Sequence, residues 1–196
     1  MQGKLIVFEG ISGTGKETQA RLLHRYLLRR GIKSHVVFHP SPELKEVLSQ
    51  WRKTRKIDHV SESYFLLADR YNRVVQVIKP AIKRGEWVIC LRNSLSALVY
   101  QGKTKDERAW IAREFARFEP EADLLFFFDI TPEAAMARIM KRHKETGEAL
   151  GKFETLGHLA QKRVAYQTVL KSMTHIRIDA RQSIEDIHNR IIASLG

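Results

Sequence analysis

Short apolar runs alternate with longer amphipathic stretches along the whole of this chain. The runs are Lys4–Phe8, Ser34–Phe38, Trp87–Leu91, Leu124–Asp129 and His175–Ile178, several of them without a polar break. Such runs suit strands buried on both faces of a parallel sheet. The stretches between them carry apolar residues at helical spacing and predict helices over Lys16–Arg30, Pro42–Lys53, Glu62–Lys83, Leu95–Gln101, Lys105–Phe118, Pro132–His143, Phe153–Met173 and Ile184–Leu195. Ser41-Pro42 and Thr131-Pro132 read as N-caps with proline in the first turn. Gly31 and Gly85 close the helices before them. Strand–helix alternation with no linker, repeat or low-complexity segment predicts one α/β domain spanning residues 1–196, with helices covering a parallel sheet.

The first strand runs into Gly10-Ile11-Ser12-Gly13-Thr14-Gly15-Lys16, and a long amphipathic helix follows. Strand, glycine-rich turn and helix together form the context of a phosphate-binding P-loop. Glycine lets the backbone take positive φ and approach a ligand. The resulting nest of N–H groups, backed by a helix N-terminus, attracts polyphosphate. Lys16 is then placed to reach the β- and γ-phosphates of a nucleoside triphosphate. The residue after the lysine is ordinarily Ser or Thr, whose hydroxyl binds Mg²⁺; here it is Glu17, followed by Thr18. Glu17 reads equally as a metal-binding carboxylate or as a solvent-facing acid in the first turn of a helix.

Charge adds one question and cysteine removes another. Thirty-four Lys and Arg residues against 22 Asp and Glu give a net charge of +12. That surplus fits a nucleic-acid surface, a site for polyanionic nucleotides, or the charged surface of a heat-adapted protein. The basic residues are dispersed and lack interleaved aromatics of the stacking kind, so nucleic acid is not an expected partner. The lone Cys90 cannot form an intrachain disulfide and lies in an apolar run, as expected of a buried thiol in a reducing cytoplasm. No segment has the apolar length of a membrane span, and the N-terminal run is too short for a signal peptide. The eight histidines show no ligand spacing with cysteine or carboxylates.

Residues Lys141–Lys152 (KRHKETGEALGK) interrupt the alternation with charge and two glycines. They read either as a solvated loop or, given the P-loop, as a mobile lid whose cations close on phosphates.

Motifs along nearly the whole chain now resemble those of the thymidylate kinases, a family of P-loop nucleoside monophosphate kinases. The resemblance rests on FEGISGTGKETQ, on Phe65–Arg70 (FLLADR), and on Lys79-Pro80-Ala81 with Gly85, Val88, Ile89 and Cys90. It continues through Ser96, Val99-Tyr100-Gln101-Gly102, Leu125–Asp129 with Thr131–Ala135, Phe153-Glu154, Arg163-Val164, Tyr166, and Ile178-Asp179-Ala180 with Ser183 and Glu185. It implies a three-layer α/β/α P-loop fold on a five-stranded parallel sheet, with ATP and Mg²⁺ as cofactors and a homodimer as the assembly. The activity implied is transfer of the ATP γ-phosphoryl group to dTMP or a related monophosphate. Lys16 with residues 10–18 (Gly10, Ile11, Ser12, Gly13, Thr14, Gly15, Glu17, Thr18) would hold ATP. Arg92 would bridge donor and acceptor phosphates, Arg70 would hold the base or its neighbourhood, Tyr100 would pack on the sugar, and Gln101 would line the acceptor site. With no arginine inside the P-loop, the lid must supply the transition-state cation, Arg142 first and then Arg138, Lys141 and Lys144.

The departures gather at the chemistry. Ser12 and Leu91 stand where the family has aspartates, and Glu17 where it has a hydroxyl. Leu66 replaces the stacking phenylalanine, Ala97 the polar residue facing the base, and Phe38-His39-Pro40 alters the loop after the second strand. Two readings therefore stand side by side: a kinase with altered or broadened acceptor choice, and a nucleotide-binding relative whose transfer chemistry is lost.

Overall fold

The structure, a computed structural model, describes residues 2–54, 57–147, 149–151 and 153–196, with Lys53 known by its backbone alone. Five parallel strands form one sheet in the order β2-β3-β1-β4-β5. They are β1 (Leu5–Glu9), β2 (Ser34–Phe38), β3 (Trp87–Leu91), β4 (Leu124–Asp129) and β5 (Ile176–Asp179). Every residue of β1 and β3 is buried, as their unbroken apolar runs require. Phe8 packs against Phe126 and Phe128 with ring centroids 5.5 and 5.0 Å apart, which locks β1 to β4 through the core.

The helices are α1 (Lys16–Arg29), α2 (Pro42–Thr54), α3 (His59–Arg73), α4 (Lys79–Lys83), α5 (Ser94–Tyr100), α6 (Lys105–Ala116), α7 (Pro132–Thr146), α8 (Leu156–Leu170) and α9 (Ile184–Ala193). Helix α1 packs on β2, β3 and α9, while α5, α7 and α8 form a second group. This is the three-layer α/β/α P-loop arrangement. The caps fall where the sequence places them: Ser41 Oγ accepts from Leu44 N and Thr131 Oγ1 from Ala134 N. Gly31 and Gly85 take φ of 72° and 78°.

Two elements differ from the sequence reading. The long helix expected over Glu62–Lys83 starts at His59, capped by the Asp58 side chain, and contains a π-helical segment at Val74–Ile78 before α4. Pro80 explains the irregularity, because it has no N–H for the preceding turn and crowds that turn's carbonyl. Helix α7 runs three residues past the expected end at His143, to Thr146, and stops at Gly147 with φ 69°. The first half of the expected lid is therefore helix; its residues 148 and 152 lie outside the described residues.

Candidate active site

In parallel α/β sheets ligands bind beyond the carboxyl ends of the strands, where the strand order reverses. Here that edge joins Glu9 at the end of β1 to Leu91 and Arg92 at the end of β3. The loop after β1 is held tightly from below. A Cβ on Gly10 (φ 140°) would meet the Phe128 carbonyl oxygen at 2.5 Å, and one on Gly13 (φ 80°) the Ala135 carbonyl oxygen at 2.6 Å. Gly15 (φ 84°) instead faces open space and begins α1. A cradle of backbone N–H groups at a helix N-terminus is left facing outward, and it fits a polyphosphate.

Lys16 is folded into this cradle. Its ammonium donates to the carbonyl oxygens of Gly10 (2.9 Å) and Ile11 (2.6 Å) and to Thr14 Oγ1 (2.9 Å). Burial, and then repulsion from Arg92, hold its pKa well below the usual lysine value against the pull of Glu9. The two cations thus share one local field.

Glu9 sits opposite, fully buried. One carboxylate oxygen accepts from Asn93 N (2.9 Å) and Ser96 N (3.2 Å), the other from Ser96 Oγ (2.7 Å) and Tyr166 OH (2.8 Å). Those two hydroxyls in turn accept from Arg92 Nη1, at 3.0 Å from Ser96 and 2.9 Å from Tyr166. The guanidinium also lies 5.0 Å over the Tyr100 ring. Burial lowers the Arg92 pKa, but Tyr100, Tyr166 and Glu9 outweigh it and the net shift is upward. Burial, then the Glu9 charge, push the Tyr166 phenol upward. Arg92 is the one described residue other than glycine with positive φ, 77°. That left-handed backbone costs about 1–2 kcal/mol for an L-residue. Its neighbours hold it there, turning the guanidinium back across the end of β1.

Glu17 and Thr18 are exposed in the first turn of α1, and Ser12 is half-buried in the loop before it. The Glu17 carboxylate is exposed and paired with Arg21 one turn on. Asp129, at the end of β4, is tied to Arg163 and Arg177. Among the described residues no group of three or more His, Cys, Asp or Glu could hold a metal ion by itself. Glu17 offers a single exposed carboxylate here, which suits an ion shared with nucleotide oxygens and not one caged by the protein.

Leu66, Ala97 and Gln101 line one small pocket together with Ser63, Trp110 and Phe115. Tyr100 lies between Arg92 and Phe153, its ring centroid 5.2 Å from that of Phe153. Arg70 does not line that pocket. Its guanidinium is wholly buried, with Nε 2.9 Å from Glu119 Oε2, Nη2 on Glu119 Oε1, and Cys90 Sγ at 3.7 Å. Burial works against its charge, but Cys90 and Glu119 more than compensate and the net shift is upward. Arg142 pairs with the buried Glu154 at 2.8 Å, and Glu154 also accepts from Gly151 N at 2.8 Å. Lys141 pairs with Glu145, and Arg138 is exposed.

Ser96, Tyr166, Glu119 and Glu154 belong to these networks, yet the sequence alone gives those four no site role. A family model described as thymidylate kinase matches residues 8–191. The chain belongs to the thymidylate kinase family. Three curated relatives bear that name: one from Fervidobacterium nodosum is 34% identical over 95% of both chains. One from Legionella pneumophila is 31% identical over 97% of this chain and 93% of its own. One from Desulfotalea psychrophila is 33% identical over the same shares. Among the described residues no helix is long and apolar enough to cross a membrane.

Proposed function

We propose that this chain is an ATP-dependent kinase that phosphorylates thymidine monophosphate. The observation supporting this most directly is the facing of two cation sites across Glu9: the Lys16 cradle after β1 and the Arg92 cluster after β3. In this reading the cradle holds the ATP phosphates, and Lys16 leaves its loop oxygens for the β- and γ-phosphates. Arg92, held by Ser96 and Tyr166, sets the acceptor phosphate in line. An acceptor oxygen forms the new bond to the γ-phosphorus as the bond to the β-bridging oxygen breaks, and ADP leaves. Such transfer runs on alignment and charge neutralisation. Lys16, Arg92 and Arg142 supply that positive charge, Arg142 after release from Glu154. Glu17 would be the carboxylate that holds Mg²⁺, which would neutralise further phosphate charge when bound with the nucleotide.

We also infer one domain over residues 1–196, a cytoplasmic setting that suits the buried free thiol of Cys90, and a homodimer. The dimer rests on family likeness and on Val60, Tyr64, Tyr71 and Val75, an exposed apolar stripe from α3 into the π segment.

The test is ADP release with Mg-ATP and dTMP. Release that requires both substrates supports the kinase; folded protein that binds ATP without releasing ADP overturns it.

A further inference from the structure

Helices α1 and α9 pack along one another, and Gln19 fixes their register by donating from Nε2 to the Ile184 carbonyl oxygen at 2.8 Å. One turn further along α9, the His188 ring meets Tyr26 edge to face, with centroids 6.1 Å apart. Nδ1 of that ring is buried and has no hydrogen-bond partner among the described residues. A buried polar atom left alone is costly unless a group from outside the chain pairs with it. The charges that act on the ring are of one sign. Burial first, then Arg29 and Arg25, lower the His188 pKa, and no carboxylate opposes them. Arg25 and Arg29 stand one turn apart on the exposed face of α1, and the Arg30 guanidinium lies 5.1 Å over the Tyr26 ring. Arg21, a turn earlier, is neutralised by Glu17, whereas none of these three arginines has a carboxylate partner among the described residues. The negative end of the α1 dipole suits cations at Arg29 and Arg30. It accounts neither for Arg25 nor for an imidazole set among them.

We propose that this seam is a second anion site, which takes a phosphate-type oxyanion on His188, Arg25 and Arg29. The neutral imidazole can present Nδ1–H, and the two guanidiniums add forked donors that match phosphate oxygens. The ligand brings the acceptors and the negative charge that the surrounding protein lacks. The site is separate from the P-loop: at 1.5 Å per helical residue, Arg25 and Arg29 lie about 13 to 20 Å along α1 from Lys16. Its occupant is a compact oligophosphate, not a nucleic-acid strand. The aromatic ring at hand, Tyr26, is already engaged by Arg30 and His188 and leaves no free face on which a base could stack. Part of the net charge of +12, which phosphoryl transfer does not call for, thereby gains a task.

The probe is sodium tripolyphosphate, titrated into the full chain while the histidine ring signals are followed by NMR, with His188→Gln assigning those of His188. The His188 signals should shift to saturation. The double variant Arg25→Ala, Arg29→Ala should weaken that response at least tenfold with the melting temperature nearly unchanged, and Arg25→Gln, Arg29→Gln replaces it should it fail to fold. Lys16→Met, which alters the P-loop cradle, should leave the His188 response in place. A signal that does not saturate, an equal response in the double variant, or loss of the response in Lys16→Met overturns the proposal. So does a response reproduced by sodium chloride at the same ionic strength. Tighter binding of a single-stranded oligonucleotide than of tripolyphosphate also overturns it and makes this face a nucleic-acid surface. The readout is occupancy beside His188, so neither ADP release nor its absence bears on the result.

Discussion

Lys16 touches three oxygens of its own loop, and its removal separates binding from chemistry. Lys16→Met should abolish ADP release, by at least a hundredfold, with the melting temperature nearly unchanged; a variant still within tenfold of the parent would place the chemistry elsewhere. Tyr166→Phe is subtler. It removes one donor to Glu9 and one acceptor for Arg92 while leaving Glu9 three other donors. A fall in kcat of about tenfold, equivalent to ~1.4 kcal/mol, with little change in the KM for ATP, is the expected signature of a positioning residue. His39 gives a pH prediction. Burial lowers its pKa below the ordinary 6.5, opposed by its hydrogen bond to Asp69, with Arg70 and Glu119 also in its field. Below pH 6.5 the unfolded chain takes up a proton that the folded chain resists, so stability falls with pH in that range and is flat above it. Melting temperatures between pH 5 and 8 should show this slope, and His39→Gln should flatten it. These pairings were not legible in the sequence. Glu119 and Glu154 lie in irregular segments, and their arginine partners are joined to them only by the fold.

At the scale of elements most of the chain was legible. Five apolar runs became five strands, and the Gly10–Lys16 loop sits between β1 and α1, because both signals are local periodicities or fixed spacings. The misjudged stretches have local causes as well. Pro80 breaks a helix that amphipathicity alone would continue, and the charged start of the lid is good helix-forming sequence up to Gly147. Helix α7 consequently carries Arg142 on a rigid rod, tied across the lid to Glu154 at the foot of α8. Arg142→Ala should reduce kcat at least a hundredfold, with ATP affinity by calorimetry changed no more than a few-fold. An equal loss in both would make Arg142 a binding group and leave the transition state to another cation.

The whole molecule presents its site on one edge and a second apolar feature on α3. Tyr64 rests on Trp110 with centroids 5.0 Å apart, and Tyr71 on Phe118 at 5.3 Å, so the α3 stripe extends toward α6. Soluble monomers rarely leave contiguous apolar surface of this kind uncovered. Sedimentation should return twice the chain mass of 22.7 kDa, and the double variant Tyr64→Glu, Tyr71→Glu should return it once. A monomeric parent would set the dimer aside.

The seat of Lys16 has a kinetic consequence. An ammonium bonded to three loop oxygens acts as a stopper in its own anion hole, already quenched before any nucleotide arrives. Stray phosphate meets a cradle whose strongest charge is engaged elsewhere, whereas a triphosphate can offer enough oxygens to draw the lysine out. In the kinase proposed above, the loop oxygens are expected to take the ammonium back as ADP departs. An internal competitor is then expected to help expel the product, the affinity given up on entry being recovered as speed of release.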